Sequence, residues 1–70
     1  MNIIFRMDQL ILKQQTGTLE EFARKLGRKR SAVCNYIGFM RSMGAPVEYC
    51  PYKCSYYYNG NGHFFIGWLE

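Results

Sequence analysis

Seventy residues predict a single domain, residues 1–70, because a chain this short buries only about 60% of the surface it exposes when unfolded and must close its core with compact helices, a small sheet or a partner. Apolar residues at 49% and charged residues at 20% exclude an intrinsically disordered chain. The net charge is +4, yet five of the nine basic residues (Arg24, Lys25, Arg28, Lys29 and Arg30) fall within seven positions, so the positive field is concentrated where it can steer an anionic partner.

The opening stretch MNIIFRMDQLIL lacks both the basic start and the small-residue cleavage site of a secretory signal. No apolar run approaches the roughly 18 residues that a membrane span needs. Three cysteines without a regular framework fit a reducing compartment. The expectation is a soluble cytoplasmic protein, nucleoid-associated if it binds DNA, with no membrane partner.

Ile3, Ile4, Met7, Leu10, Ile11 and Gln14 recur at helical spacing and predict a first helix over 2–15, stopped by the TGT at 16–18. Thr18 followed by Glu21 is a capping-box pattern that starts a second helix near Leu19. Leu19, Phe22, Ala23 and Leu26 share its buried face, and Gly27 stands where a left-handed C-terminal residue is wanted. From Arg30 the spacing resumes with Val33, Tyr36, Ile37, Met40 and Met43, predicting a third helix over about 30–43 that ends at Gly44 and Pro46. Beyond Pro46 the texture becomes β-branched and aromatic: VEYC, SYYY and HFFIGWL, separated by PYK and NGNG. Asn-Gly pairs supply the positive φ angles of tight hairpin turns, so these runs predict a small antiparallel hairpin or a three-stranded meander. The fold class is α+β.

Ala23, then Gly27, then Val33 form a spaced set in which a small residue permits a close helix crossing, a glycine permits the turn, and Val33 anchors the following helix. Together with TGTLEEFARKLGRKRSAVCNYIGFMRSMGAPVEY and the following SYYY, this set resembles the helix-turn-helix pattern of the winged-helix type. It is similar to the small winged-helix domains of the biotin-operon repressor and of bacterial regulators of the deoR and WYL type. The resemblance covers about residues 7–58 and implies duplex DNA binding by a bacterial transcription regulator. Two positions depart from the pattern. Arg28 stands where an apolar residue usually plugs the core, and Lys29 where a Ser or Thr usually caps the recognition helix, at a cost on the order of 1 kcal/mol. Gly38 in mid-helix costs about another 1 kcal/mol relative to Ala.

With Val33, Ile37 and Met40 turned inward, Ser31, Cys34, Asn35, Gly38 and Ser42 fall on the opposite side. Arg30 there suits guanine N7 and O6, and Asn35 suits an adenine edge. Arg28, Lys29 and the amides beside Thr18 suit phosphates, and Tyr52 and Lys53 at the CPYKC tip suit a flanking groove or phosphate. Thr18, Arg28, Lys29, Arg30, Ser31, Cys34, Asn35 and Lys53 are therefore the candidate DNA-binding residues. The competing reading of each is an ordinary solvated face or turn.

Other chemistries find less support. Cys50, Cys54 and His63 lack the fourth ligand of a structural zinc site; a disulfide across the tip is a further alternative to reduced thiols. A Cys/His nucleophile would need an orienting third group, and of the carboxylates Asp8, Glu20, Glu21, Glu48 and Glu70, two belong to the start of the second helix. The sequence thus implies neither enzyme, metal nor cofactor. Alternation along HFFIGWL places Phe64, Ile66 and Trp68 on one face and Phe65 and Leu69 on the other, both apolar. Phe39, Phe65, Trp68 and Leu69 then either form an interface, to a homodimer partner or a partner regulator protein, or cover a small core. A winged-helix protein-interaction module without DNA binding is the alternative function.

Overall fold

A computed structural model of the chain describes residues 2–64 and 67–70. The elements run α1 (Ile3–Leu12), α2 (Leu19–Leu26), α3 (Arg30–Ser42), β1 (Val47–Cys50), β2 (Ser55–Tyr58), β3 (His63–Phe64) and β4 (Trp68–Leu69). The α+β class is as expected: the described residues form three helices and two separate antiparallel sheets of two strands each.

The helices begin and end on local chemistry. Asn2 Oδ1 accepts from the Ile4 N–H at 2.8 Å and starts α1. That helix closes at Leu12, earlier than its apolar spacing predicts. Gln14 turns left-handed (φ 54°) and the Gln15 N–H reaches back to Leu10 O at 2.9 Å. The same pair of backward bonds ends α2, from Gly27 to Arg24 O and from Arg28 to Ala23 O, and ends α3, from Gly44 to Arg41 O and from Ala45 to Met40 O. Each helix therefore stops on a hydrogen-bonded reversal that satisfies its last carbonyls.

Met7 and Ile11 of α1, Phe22 and Leu26 of α2, and Val33, Ile37 and Met40 of α3 meet in one core with Ala45, Val47 and Phe64. Each such large side chain contributes about 1.5–3 kcal/mol by leaving water. Met43, predicted from its spacing to join them, is 44% exposed, because the α3 terminus turns away at Gly44 before its side chain reaches the core.

The first sheet pairs Val47 with Tyr58, Glu48 with Tyr57, Tyr49 with Tyr56 and Cys50 with Ser55, and Asn59 N–H to Pro46 O at 2.8 Å prolongs it. Buried Thr16 fixes it to the α1–α2 connection. Thr16 N–H donates to Ser55 Oγ at 3.2 Å, the two hydroxyls lie 3.1 Å apart, and Tyr56 N–H donates to Thr16 Oγ1 at 2.8 Å.

The meander is corrected. Within HFFIGWL the described residues form two short strands, not one: His63 pairs antiparallel with Leu69 and Phe64 with Trp68, apart from the first sheet. NGNG is likewise not a tight hairpin turn. Gly60 and Gly62 take φ of 152° and 137°, far from the values near 57° that such turns use, and the segment carries the chain from one sheet to the next. Gly62 is required there: a Cβ would stand 2.2 Å from Leu69 O and 2.8 Å from the Trp68 ring. Asp8 holds the second hairpin down. Its buried carboxylate accepts from the Tyr58 hydroxyl at 2.8 Å and the Phe64 N–H at 2.9 Å.

Candidate nucleic-acid interface

Between α2 and α3 the chain needs only Gly27, Arg28 and Lys29 to turn. Gly27 adopts φ 67° at the end of α2, and Arg28 N–H, bonded to Ala23 O at 3.0 Å, fixes the exit direction. Because that position carries Arg28 rather than an apolar plug, its side chain stays in solvent, where the guanidinium reaches only its neighbour's carbonyl, Gly27 O, at 3.4 Å. Lys29 is the N-cap of α3 and supplies no side-chain acceptor to the first turn, as its residue type predicts.

The N-terminus of α3 consequently carries the positive end of the helix dipole, no acidic residue in its first turn, and three exposed cations, Arg28, Lys29 and Arg30. Arg24 lies exposed on the last turn of α2 and enlarges the same field. Ser31, Cys34, Asn35, Gly38 and Ser42 are all exposed, while Val33, Ile37 and Met40 are buried. The structure therefore gathers Arg28, Lys29, Arg30, Ser31, Cys34 and Asn35 on one end and one face of α3.

Two other expected residues are placed differently. Thr18 has both its groups engaged: its hydroxyl accepts from Glu21 N–H at 3.2 Å, and its own N–H donates to Glu21 Oε1 at 3.0 Å. That backbone bond, then the Thr18 hydroxyl and the nearby Lys25 and Arg24 charges, holds the exposed Glu21 carboxyl below the usual carboxylate range. An ionised carboxylate thus already occupies the N-terminus of α2. Lys53, at the tip of the first hairpin, donates to Gln14 Oε1 at 2.9 Å and so leans on the α1–α2 turn. Its neighbour Tyr52 projects into solvent, 97% exposed.

Cys34 borders a shallow cleft with Ile37, Arg41 and Tyr56, which joins the exposed side of α3 to the first sheet. Arg41 crosses that junction, its Nε donating to Val47 O at 3.1 Å. Burial pushes the Tyr56 phenol above its ordinary value, and the Cys34 thiol adds to the shift. Arg41 and Tyr56 were not among the predicted site residues. Arg41 follows Cys34 by seven positions, the helical signal that places both on one side.

Cys34, Cys50 and Cys54 are free thiols, and the Cys54 thiol donates to Pro51 O at 3.4 Å. Among the described residues no group of three or more His, Cys, Asp or Glu side chains is placed to hold a metal ion, and no helix is long and apolar enough to cross a membrane. Of the predicted partner-interface residues, Phe39 is 50% exposed and meets Phe64 edge to face at 6.3 Å, and Leu69 is exposed. Trp68 is half-buried and packs T-shaped on Tyr58 at 4.6 Å, against the core, which is the arrangement of the alternative reading in which these side chains cover a small core. Phe65, like Ile66, lies outside the described residues. No protein-family model, curated protein or solved structure matches the chain.

Proposed function

We propose that this chain is a winged helix-turn-helix domain that binds duplex DNA as a bacterial transcription regulator, with α3 as its recognition helix and the β1–β2 hairpin as its wing. One observation carries the reading: an uncapped helix N-terminus, three exposed cations and an exposed polar helix face coincide at α3, whereas the N-terminus of α2 is closed by Glu21. Arg28 and Lys29 hold phosphates, which positions the helix, and Arg30, Ser31 and Asn35 face base edges, which supplies discrimination of about 1–3 kcal/mol for each good bidentate pair. Gly38, with no atom near its missing Cβ, leaves the helix surface low beside Asn35. Lys53 and Tyr52 contact the flanking backbone from the wing.

The test is fluorescence polarisation with a labelled random duplex across a salt series. Binding whose logarithm falls linearly with the logarithm of salt supports the reading, since phosphate contacts release counterions; no polarisation change at low salt overturns it. The apolar surface of Phe39, Met43 and Leu69, each 44–50% exposed, favours the second reading, a protein-interaction module or homodimer. A monomer mass in solution at micromolar concentration removes the homodimer.

A further inference from the structure

We infer that the outer face of α1 is a docking groove for an acidic amphipathic helix of a partner protein, separate from the proposed DNA surface. The groove measures about 420 Å³ and is lined by Phe5, Arg6, Gln9, Leu10 and Lys13 of α1 and by Lys25 of α2. Its floor is apolar: Phe5 is 43% exposed, and Leu10 packs its inner side on the core while its outer side stays open. Its rim is cationic, with no carboxylate among the lining residues.

Two of the three cations are fixed. Arg6 Nη2 donates to the Lys25 carbonyl at 2.9 Å and bridges α1 to the last turn of α2, which leaves its remaining N–H groups directed elsewhere. Lys25 Nζ donates to the Gln15 carbonyl at the edge of the groove, on the side of Glu21, so Arg6 and Lys13 are the cations most open to a partner. Holding these charges in place lowers the entropy that a carboxylate partner must remove on binding. Arg6 and Lys13 stand seven residues apart, two helical turns or about 10 Å along the axis. A partner helix with carboxylates seven residues apart and apolar side chains between them meets both cations while its apolar face covers Phe5 and Leu10.

Charge complementarity selects this occupant. A second copy of the same groove brings the same three cations and repels. A phosphate backbone would satisfy the rim but leave the Phe5 ring against solvent or sugar, so nucleic acid is the less complete fit.

The experiment titrates the full-length 15N-labelled chain with a synthetic helical peptide carrying Glu at i and i+7 and Leu at i+3 and i+4. Saturable amide shifts centred on Phe5, Gln9, Lys13 and Lys25 are expected. Phe5→Ala and Lys13→Glu, both on the surface, should each weaken binding about fivefold or more, as truncation of an interface anchor does; a peptide with Lys in place of Glu should not bind. No saturable shift, shifts centred instead on Arg28–Arg30, or undiminished binding by both variants overturns the inference. Duplex polarisation is measured on the same two variants. Loss of duplex binding equal to that on removing Arg28, Lys29 and Arg30 assigns the groove to nucleic acid and overturns it as well. A native chain that binds the peptide and no duplex sinks the DNA reading alone.

Discussion

Asp8 Oδ1 receives two donors from distant strands, the Tyr58 hydroxyl at 2.8 Å and the Phe64 N–H at 2.9 Å, so one buried carboxylate oxygen ties both hairpins to α1. Tyr58→Phe removes one donor and leaves that buried oxygen short of a partner, at a cost of about 1–3 kcal/mol. Chemical denaturation followed by Trp68 fluorescence measures it, because this single tryptophan packs on the Tyr58 ring. Burial, reinforced by Asp8, raises the Tyr58 phenol above its ordinary value of 10.0. The sign follows: a raised pKa gives a contribution complete below the unfolded value and lost as pH climbs through the folded one. The difference between the native chain and Tyr58→Phe is therefore constant from neutral pH up to pH 10.0 and shrinks above it.

Replacing Arg28, Lys29 and Arg30 together by Ala separates binding from folding. All three are exposed, so thermal stability stays within about 1 kcal/mol. Duplex affinity falls, and the slope of log affinity against log salt becomes shallower by about 0.9 for each phosphate that the protein no longer neutralises. Polarisation titrations at several salt concentrations give the slope, and calorimetry gives the stability. An unfolded triple variant would mean that these side chains support the fold.

The α2 capping box makes a pH-dependent contribution of opposite sign. Thr18→Ala costs about 1 kcal/mol through the lost N-cap. Glu21, whose pKa is lowered by the Thr18 N–H, stabilises the helix while ionised, fully above its ordinary value of 4.5 and progressively less as pH falls through its lower folded value. Thermal melts of the native chain and Glu21→Gln, compared from pH 7 downward, should differ at neutral pH and converge in acid.

Gly62→Ala should strain the second hairpin where it closes on Trp68. The added Cβ meets Leu69 O and the Trp68 ring at a φ of 137° that other residues rarely adopt, and the expected loss is about 2 kcal/mol or more. Trp68 emission should shift to the red, with helical circular dichroism and duplex affinity retained.

The helices were legible because their signals are local. Thr18 with Glu21, Gly27, and the spacing of Val33, Ile37 and Met40 each act within a few residues, and the capping box, left-handed cap and buried stripe all form. The solvated face of α3 follows from the same periodicity. Three features depend on partners far away in sequence. Asp8 reads as a polar break in an apolar run, yet it is 2% exposed because the two groups that donate to it lie 50 and 56 residues on. HFFIGWL has the apolar density of one buried strand, yet His63–Phe64 and Trp68–Leu69 pair with each other while packing against α1 and Tyr58. Lys53 reads as a solvated charge at a turn, and the Gln14 side chain it donates to lies 39 residues away.

The attachment of Ser55 to Thr16 also orders assembly. Thr16 and Ser55 are 39 residues apart, and Tyr56 reaches Thr16 across 40, whereas α2 and α3 meet through a three-residue turn. Loop-closure entropy makes the short-range pair quick to form and the distant one slow. The helical pair is thus expected to form first and the seating of Ser55 against Thr16 to follow it, which stopped-flow refolding of Thr16→Val against the native chain would test. Thr16 works less as a staple of the finished fold than as a checkpoint, since its hydroxyl finds the Tyr56 N–H only when the first hairpin has arrived in register.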